Sequence, residues 1–527
     1  MDYQHDVGAY WPGDIEIKMN TFLFPSLNAG ALVLILGLGE TGAAAARWCA
    51  QHGARLRVLD TRHEPAGLDA LRAELGESVL DYRLGDQALS EHALDGVHSI
   101  VISPGLSPLD EPVKTFLQLA AARKIEVIGE IELFARALTD MAGQGYQPKV
   151  LAITGTNGKT TVTAMARQLA EACGFKARAA GNISPAALTA LRDALNGNDL
   201  PDVWVLELSS FQLETTHTLT PDAAAVLNVT QDHLDWHGSM QAYVNAKAKL
   251  LQTAKIAVVN RDDGLVLGMV PDTKSMAVCT FGRDVPLLAG DLGLEHSHGV
   301  AWLSAAEVND FDLPAPQTKR KKSAETPQRQ AGRASRLMPV DALRVRGIHN
   351  ALNALAALAL VRSLGQGWAN MLHALREYGG EPNRTEFVRS IGGVDFVNDS
   401  KGTNVGATVA ALEGLGQSAV LIAGGLGKGQ DFSPLVNAVK QHARAVVLIG
   451  QDASLIAQAL ADVTVPIEQS ASMEEAVARG FALAQPGDAV LLSPACASMD
   501  MFKNYIHRGV AFVQAVNALA LENGEVA

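Results

Sequence analysis

The stretch Leu151–Thr161, LAITGTNGKTT, decides the fold. Leu-Ala-Ile-Thr reads as a buried strand, and Gly155, Thr156, Asn157, Gly158, Lys159, Thr160 and Thr161 follow as a loop that opens a helix. An α/β sheet holds a nucleoside triphosphate in this way. Backbone N–H groups and the helix N-terminus face phosphate oxygens, Lys159 adds a point charge, and the Thr160 hydroxyl is placed to ligate Mg²⁺. Only two residues separate Gly155 from the Gly158-Lys159 pair, where the commoner phosphate loop has four. The loop is a shortened variant.

Working outward, the 527 residues are too many for one core and imply several domains. A hydrophobic content of 48% with 19% charged residues is that of a globular enzyme. The net charge of −13 argues against a general nucleic-acid binder. Cys49, Cys173, Cys279 and Cys496 lie far apart with no CxxC pair, so neither a zinc site nor a disulfide framework is indicated, and a reducing cytoplasm fits. The first residues carry Asp2, Asp6, Asp14 and Glu16 rather than a basic-then-apolar signal pattern. The apolar run from Ala29 to Leu38 is too short to span a bilayer and reads as a buried strand.

Strand-like apolar runs alternate with Ala-rich helical stretches nearly throughout. ALVLILG, TGAAAARWCAQHG and RLRVLD succeed one another near the start, and AVLIAGG, SPLVNAVKQHAR and AVVLIG do so later. Such alternation predicts a series of α/β domains built on parallel sheets. Residues 314–336 break the pattern, with no Val, Ile, Leu or Phe and seven basic residues against the lone Glu325. That composition predicts a mobile, solvated insertion.

In the first domain, Gly37-Leu-Gly39-Glu40-Thr41-Gly42 follows a strand and opens a helix, and Asp60 ends the next strand. Alone, this is a dinucleotide-binding fingerprint. The same geometry cradles the diphosphate of a nucleotide sugar, with Asp60-Thr61-Arg62 offering ribose or base contacts. The second phosphate loop and the lack of a hydride-transfer constellation favour the nucleotide sugar.

Downstream, VLELSSFQLE (Val205–Glu214) ends a strand in Glu207, a carboxylate placed to hold Mg²⁺ beside the phosphate loop. Asn228-Val-Thr-Gln-Asp232-His233-Leu-Asp235 brings acids and a histidine to another strand end. Lys247 lies in the helix beyond and by itself reads as a solvated residue.

The GTNGKTT loop, Gly181-Asn182-Ile183, ELSSFQLE, NVTQDHLD and the helix HNALNALAA from His349 together resemble the Mur ligase family, the ATP-dependent amide-forming enzymes of bacterial peptidoglycan synthesis. The resemblance covers about Val33 to Gly509 apart from the basic insertion. Leu59–Arg62, Ser103-Pro-Gly105, NDSKGTNVG (398–406) and LLSPACASMDMFKNYIHRG (491–509) direct it to the members that add D-glutamate to UDP-N-acetylmuramoyl-L-alanine.

The resemblance implies three domains. Residues 1–138 would form a Rossmann-like domain binding the UDP sugar, with 1–18 an extension ahead of Met19. Residues 139–382 would form a P-loop ATPase-like parallel-sheet domain carrying the insertion, and 383–527 a Rossmann-like domain bringing the amino acid. Gly39, Glu40, Thr41, Asp60, Thr61, Arg62, Ser103 and Gly105, with Asn182, Ser209 and Gln212, would hold the UDP sugar. The loop from Gly155 to Thr161 would hold ATP together with Asn353, Arg384 and Asp399. Thr160 and Glu207 would hold the first of two Mg²⁺ ions. Lys247 matches the family lysine that is carbamylated and would hold the second with His233. Lys401 would stand near the reacting phosphate, while Thr403, Lys428, Ser498, Met499 and Tyr505 would receive D-glutamate. Lys159, Asp232, His233, Lys247 and Lys401 form the expected catalytic set. The resemblance further implies a cytoplasmic monomer that binds no nucleic acid, is not embedded in a membrane, and serves cell shape and division.

The chemistry stands apart from the name. A carboxylate and an amine do not condense in water, so the acid must first become an acyl phosphate at the expense of ATP. Both reacting groups are anionic, which is why metal ions, Lys159 and Lys401 are needed. Asp232 or His233 could assist amine deprotonation. Sites on different domains imply closure, with a hinge near Tyr378-Gly-Gly-Glu-Pro382. Asn383 departs from the histidine expected before Arg384, and Tyr505 from an expected Phe. Three other readings stay open: a sister ligase with another acceptor, an NAD-dependent oxidoreductase using GLGETG, and a nucleotide-binding protein without turnover.

Overall fold

The computed structural model describes residues 22–275, 277–308 and 328–525. The expected extension at 1–18 and the stretch 314–327 of the expected insertion lie outside them. Three sheets follow one another along the chain. The first contains β1 (Leu32–Leu36), β2 (Arg55–Asp60), β3 (Val79–Leu84), β4 (Val97–Ile102) and β5 (Glu126–Ile128), all parallel, in the doubly wound order β3-β2-β1-β4-β5. β1 is apolar throughout and buried from Val33 onward, as expected of a parallel strand with both faces covered. The turn after it needs glycine, since a Cβ on Gly42 would lie 1.9 Å from the carbonyl oxygen of Gly37.

The central sheet has nine strands: β6 (Lys149–Thr154), β7 (Ala177–Gly181), β8 (Val203–Glu207), β9 (Ala223–Val226), β10 (Ala257–Asn260), β11 (Val278–Phe281), β12 (Leu292–Ser297), β13 (Val300–Glu307) and β14 (Arg333–Pro339), in the order β14-β13-β12-β11-β10-β9-β6-β8-β7. β6 to β12 pair in parallel, but β12, β13 and β14 form an antiparallel meander that alternation did not predict. His298 and Gly299, both at positive φ, turn the β12–β13 hairpin.

β14 also corrects the reading of 314–336 as a mobile insertion, because 328–336 are ordered. An edge strand gains its ladder hydrogen bonds without an apolar sequence. Arg336 pairs with Glu295 and lies over the Trp302 ring. Arg329 is paired with Asp291, the two side chains being 4% and 7% exposed.

The third sheet holds β15 (Glu386–Ile391), β16 (Val394–Asn398), β17 (Ala419–Gly424), β18 (Ala443–Ile449), β19 (Ile467–Gln469) and β20 (Ala489–Leu492), ordered β15-β16-β20-β17-β18-β19, with only β15 antiparallel.

The domains are joined in two different ways. The helix Glu130–Ala142 runs through residue 138, where the sequence places the first boundary, and carries Phe134 edge-on against Trp204 at 5.2 Å. One apolar cluster therefore spans the first and second sheets. The clusters of the third sheet contain no residue of the others, so polar contacts carry much of its docking. Polar interfaces of this kind permit relative motion.

Candidate active site

The phosphate loop forms as its residue types require. Gly158 sits at φ +83°, and a Cβ there would lie 2.6 Å from Oδ1 of Asn353, which brings the helix Ile348–Arg362 against the loop. Asn157 is fixed by Asn228, whose Oδ1 accepts the Asn157 N–H at 2.8 Å. Lys159 begins the helix Lys159–Ala172 and donates to the carbonyl oxygens of Gly155 and Thr156 at 2.8 and 2.9 Å. The Thr160 hydroxyl donates to Oε2 of Glu207 at 2.7 Å, and Asn182 donates its amide to Oε1 at 2.7 Å. Thr161 is buried behind the loop.

Lys247 projects from the helix Met240–Thr253 and is 1% exposed. Its Nζ lies 3.0 Å from the Gly155 carbonyl oxygen and 4.6 Å from the centre of the Tyr243 ring. Burial pulls its pKa well below the usual lysine range, and Lys159 reinforces the shift. The solvated helix residue suggested by sequence position is thus a buried amine. His233 lies at φ +55°, edge-on to Phe211 at 4.7 Å, with Nε2 3.5 Å from Oδ2 of Asp232. Burial lowers its pKa.

The C-terminal domain completes the cavity. Arg384 donates to the Thr160 hydroxyl at 2.5 Å. Asn157 and Asn404 exchange side-chain amide hydrogen bonds at 3.2 and 3.0 Å, and Asn404 also caps the helix Val405–Gly414. Lys401 stacks over the Tyr505 ring at 3.9 Å, and burial lowers its pKa to about 8. Asp399 accepts from the Thr385 N–H and the Ser493 hydroxyl, and burial raises its carboxyl to about 6.

A cavity of about 250 Å³ brings together Thr156 to Lys159, Asn182, Glu207, Ser209, Asp232, His233, Lys247, Arg384, Lys401 and Thr403. A second, of about 550 Å³, shares Arg384 with it and opens between Arg346, Asn350 and Thr385. Ser498 is buried, while Met499 is 64% exposed and Lys428 is exposed; neither lines the cavity. Asn383 turns to Asn398 and packs on Gly509.

The remaining expected residues lie on the first sheet. Thr41 and Ser103 hydroxyls stand 3.4 Å apart beside Gly39, and Gly105 is exposed on the adjoining turn. Asp60 is only 2% exposed, with both oxygens engaged by the Leu38 N–H and the Arg62 guanidinium. It braces the loop and leaves Thr61 half-buried beside it. Glu40 reaches to the central domain, and Gln212 forms a capping box with Ser209.

Sequence reasoning gave no role to Asn228, Tyr243, Asn404 or Arg508. Arg508 is buried and holds Ser400, next to Lys401, through its hydroxyl and carbonyl. Asn228, Asn404 and Arg508 lay inside recognised motifs, whereas Tyr243 carried no local signal.

Lys159, Lys401 and Arg384 surround the cavity against Glu207 and Asp232, with the buried Lys247 amine beside them. This excess of cationic groups in a poorly solvated space suits a polyanion. Thr160 and Glu207 supply hard oxygen donors. Among the described residues no three His, Cys, Asp or Glu converge as a metal cage. The donor set fits Mg²⁺, which takes one or two carboxylates and completes its shell with phosphate oxygens and water. Also among the described residues, no helix is long and apolar enough to cross a membrane.

Comparisons with known proteins bear on the family of the chain. Residues 31–129 match the Mur ligase MurD-like N-terminal domain, 153–361 the Mur ligase middle domain, and 383–496 the Mur ligase glutamate ligase domain. The chain is 66% identical over 504 residues to the UDP-N-acetylmuramoylalanine--D-glutamate ligase of Bordetella bronchiseptica, covering 95% of this chain and 99% of that one. It is 55% identical over 498 residues to the enzyme of the same name from Ralstonia nicotianae, covering 94% and 98%. Among solved structures, UDP-N-acetylmuramate-alanine ligase MurC of Thermotoga maritima superposes with a TM-score of 0.53 at 19% identity, over 93% of this chain and 99% of that one. The MurF ligase of Thermotoga maritima in complex with ADP gives a TM-score of 0.52 at 18% identity, over 81% and 90%. Family domains in the expected order and relatives matched along nearly their whole length place this chain in the Mur ligase family.

Proposed function

We propose that the chain joins D-glutamate to UDP-N-acetylmuramoyl-L-alanine at the expense of ATP, in peptidoglycan precursor synthesis. The observation that carries this is the convergence of a phosphate loop, Glu207 and the cations of two domains on one cavity, in a chain 66% identical to a ligase of that name. The engaged Asp60 carboxylate counts against an NAD-dependent oxidoreductase, because a dinucleotide ribose needs a free acceptor there.

The loop from Gly155 to Thr161 cradles the β- and γ-phosphates, and the adenosine half extends past Arg384 and Asn353 into the larger adjoining cavity, with Asp399 behind it. Thr160 and Glu207 would hold one Mg²⁺, and Lys247, once carbamylated, would hold a second together with His233. Bound there, Mg²⁺ offsets the repulsion between the attacking carboxylate and the triphosphate. Burial favours the neutral form of the Lys247 amine, the form that adds to carbon dioxide with loss of a proton, and the carbamate so formed would be an anionic ligand.

The L-alanyl carboxylate oxygen attacks the γ-phosphorus and ADP leaves. Lys159, Lys401 and Arg384 stabilise the charge in transfer. The D-glutamate amine then attacks the acyl carbon, phosphate departs, and the amine proton passes to the Asp232 carboxylate. Gly39, Thr41, Thr61, Arg62, Ser103 and Gly105 hold the uridine diphosphate, with Asn182, Ser209 and Gln212 toward the sugar. Thr403, Lys428, Ser498, Met499 and Tyr505 receive D-glutamate. Lys428 and Met499 lie outside the cavity, and closure of the C-terminal domain about residues 378–382 carries them toward it.

Acceptor choice is tested with Lys428→Ala. A raised KM for D-glutamate with unchanged KM for ATP supports the pocket; a normal KM for D-glutamate removes Lys428 from it.

A further inference from the structure

The helix Ala187–Asn196 starts without a cap of its own, since Ala186 occupies its N-cap position and makes no side-chain cap hydrogen bond. The first N–H groups of a helix need acceptors. Here the N-terminal domain supplies them. Glu40 accepts from the Ser184 hydroxyl at 2.9 Å and from the Ala186 N–H at 3.3 Å. Glu130 accepts from the Leu188 N–H at 2.5 Å and is itself 3% exposed.

Glu40 is otherwise an odd residue for its place. It opens the helix after the GLGETG turn, where a carboxylate would repel a diphosphate. Hydrogen bonds from the start of another helix hold that charge on the central domain, where the helix dipole favours it.

The segment these acids hold continues directly into the active site. The Gly181 N–H donates to the Pro185 carbonyl oxygen at 3.1 Å, which closes the turn. Asn182 then donates its backbone N–H to the Glu207 carbonyl oxygen and its side-chain amide to Oε1 of Glu207, both at 2.7 Å. An unbroken path of short contacts thus runs from the nucleotide-sugar loop to the carboxylate beside Thr160.

We propose that Glu40 and Glu130 are positioning residues that cap this helix from the neighbouring domain and thereby hold Asn182 and the Glu207 carboxylate in register with the nucleotide-sugar loop. The proposal rests on the reading of Glu207 as a magnesium ligand.

The test follows Mn²⁺ binding to the full-length protein in the presence of ADP by electron paramagnetic resonance, alongside steady-state kinetics. Glu40→Ala and Glu130→Ala are expected to weaken Mn²⁺ binding about threefold to tenfold, the worth of one lost hydrogen bond. Glu40→Gln and Glu130→Gln should stay near wild type, because an amide oxygen accepts the same N–H. If Glu130→Ala does not fold, the exposed Glu40→Ala still decides the matter. Wild-type Mn²⁺ binding in Glu40→Ala, or a defect confined to KM for the nucleotide sugar, overturns the proposal. Wild-type Mn²⁺ binding in Glu207→Gln overturns the magnesium reading itself, and the proposal with it.

Discussion

The side-chain nitrogen of Lys247 lies 3.0 Å from the carbonyl oxygen of Gly155, inside the phosphate loop, with the Thr154 hydroxyl at 3.4 Å and the Tyr243 ring as further close neighbours. No carboxylate pairs with it among the described residues, and burial favours the neutral amine. A charged lysine at this point would add repulsion to Lys159; a carbamate would add a ligand.

Activity is therefore predicted to depend on carbon dioxide. Enzyme exchanged into carbon-dioxide-free buffer should lose turnover and regain it on addition of bicarbonate, and Lys247→Ala should be inactive under both conditions. Turnover indifferent to bicarbonate, in protein carrying no carbon dioxide adduct by mass spectrometry, would contradict the assignment.

The Arg384–Thr160 contact ties the C-terminal domain to the phosphate loop. Replacing Arg384 by Ala should lower kcat by about 10²-fold or more, as expected when a donor to a transferring phosphoryl group is removed. Lysine should restore little, because it lacks the guanidinium fork. Steady-state kinetics with saturating substrates provides the measurement.

Lys401 sets an alkaline limit. Burial, with Arg384 and Lys159 adding to it, lowers its pKa to about 8. The charged form is the one that offsets phosphate charge, so kcat/KM for ATP should fall as pH rises through about 8. Lys401→Arg keeps its charge and should move that limb to higher pH. An unchanged limb in this variant would assign the titration to another group.

The Arg329–Asp291 pair is predicted to hold the antiparallel end of the central sheet. Arg329→Ala leaves Asp291 buried and unpaired, a loss of about 3–5 kcal/mol. Denaturant unfolding followed at Trp302 should show it. A change below about 1 kcal/mol would mean the pair behaves like a surface bridge.

The phosphate loop was readable from sequence because its chemistry dictates residue types at fixed spacing. Glu207 and His233 were readable because a strand end beside such a loop is where ligands gather. What escaped depends on contacts between distant parts of the chain. Tyr243 reaches Thr156 across 87 positions and Arg508 reaches Ser400 across 108. Residues 328–336 looked unfoldable by composition because an edge strand and a buried ion pair need few apolar side chains. The β12–β13 hairpin was signalled only by His298-Gly299, easily lost in a chain dominated by parallel units. Asp60 matched a ribose-binding carboxylate by position, and only the Arg62 guanidinium folded onto it shows that both its oxygens are taken.

The most direct test of the central claim is phosphate release from Mg·ATP with UDP-N-acetylmuramoyl-L-alanine, comparing D-glutamate with L-glutamate, L-alanine and meso-diaminopimelate. Release that requires both the nucleotide sugar and D-glutamate is the predicted result. Release supported equally by another acceptor, or none with any acceptor, would contradict it.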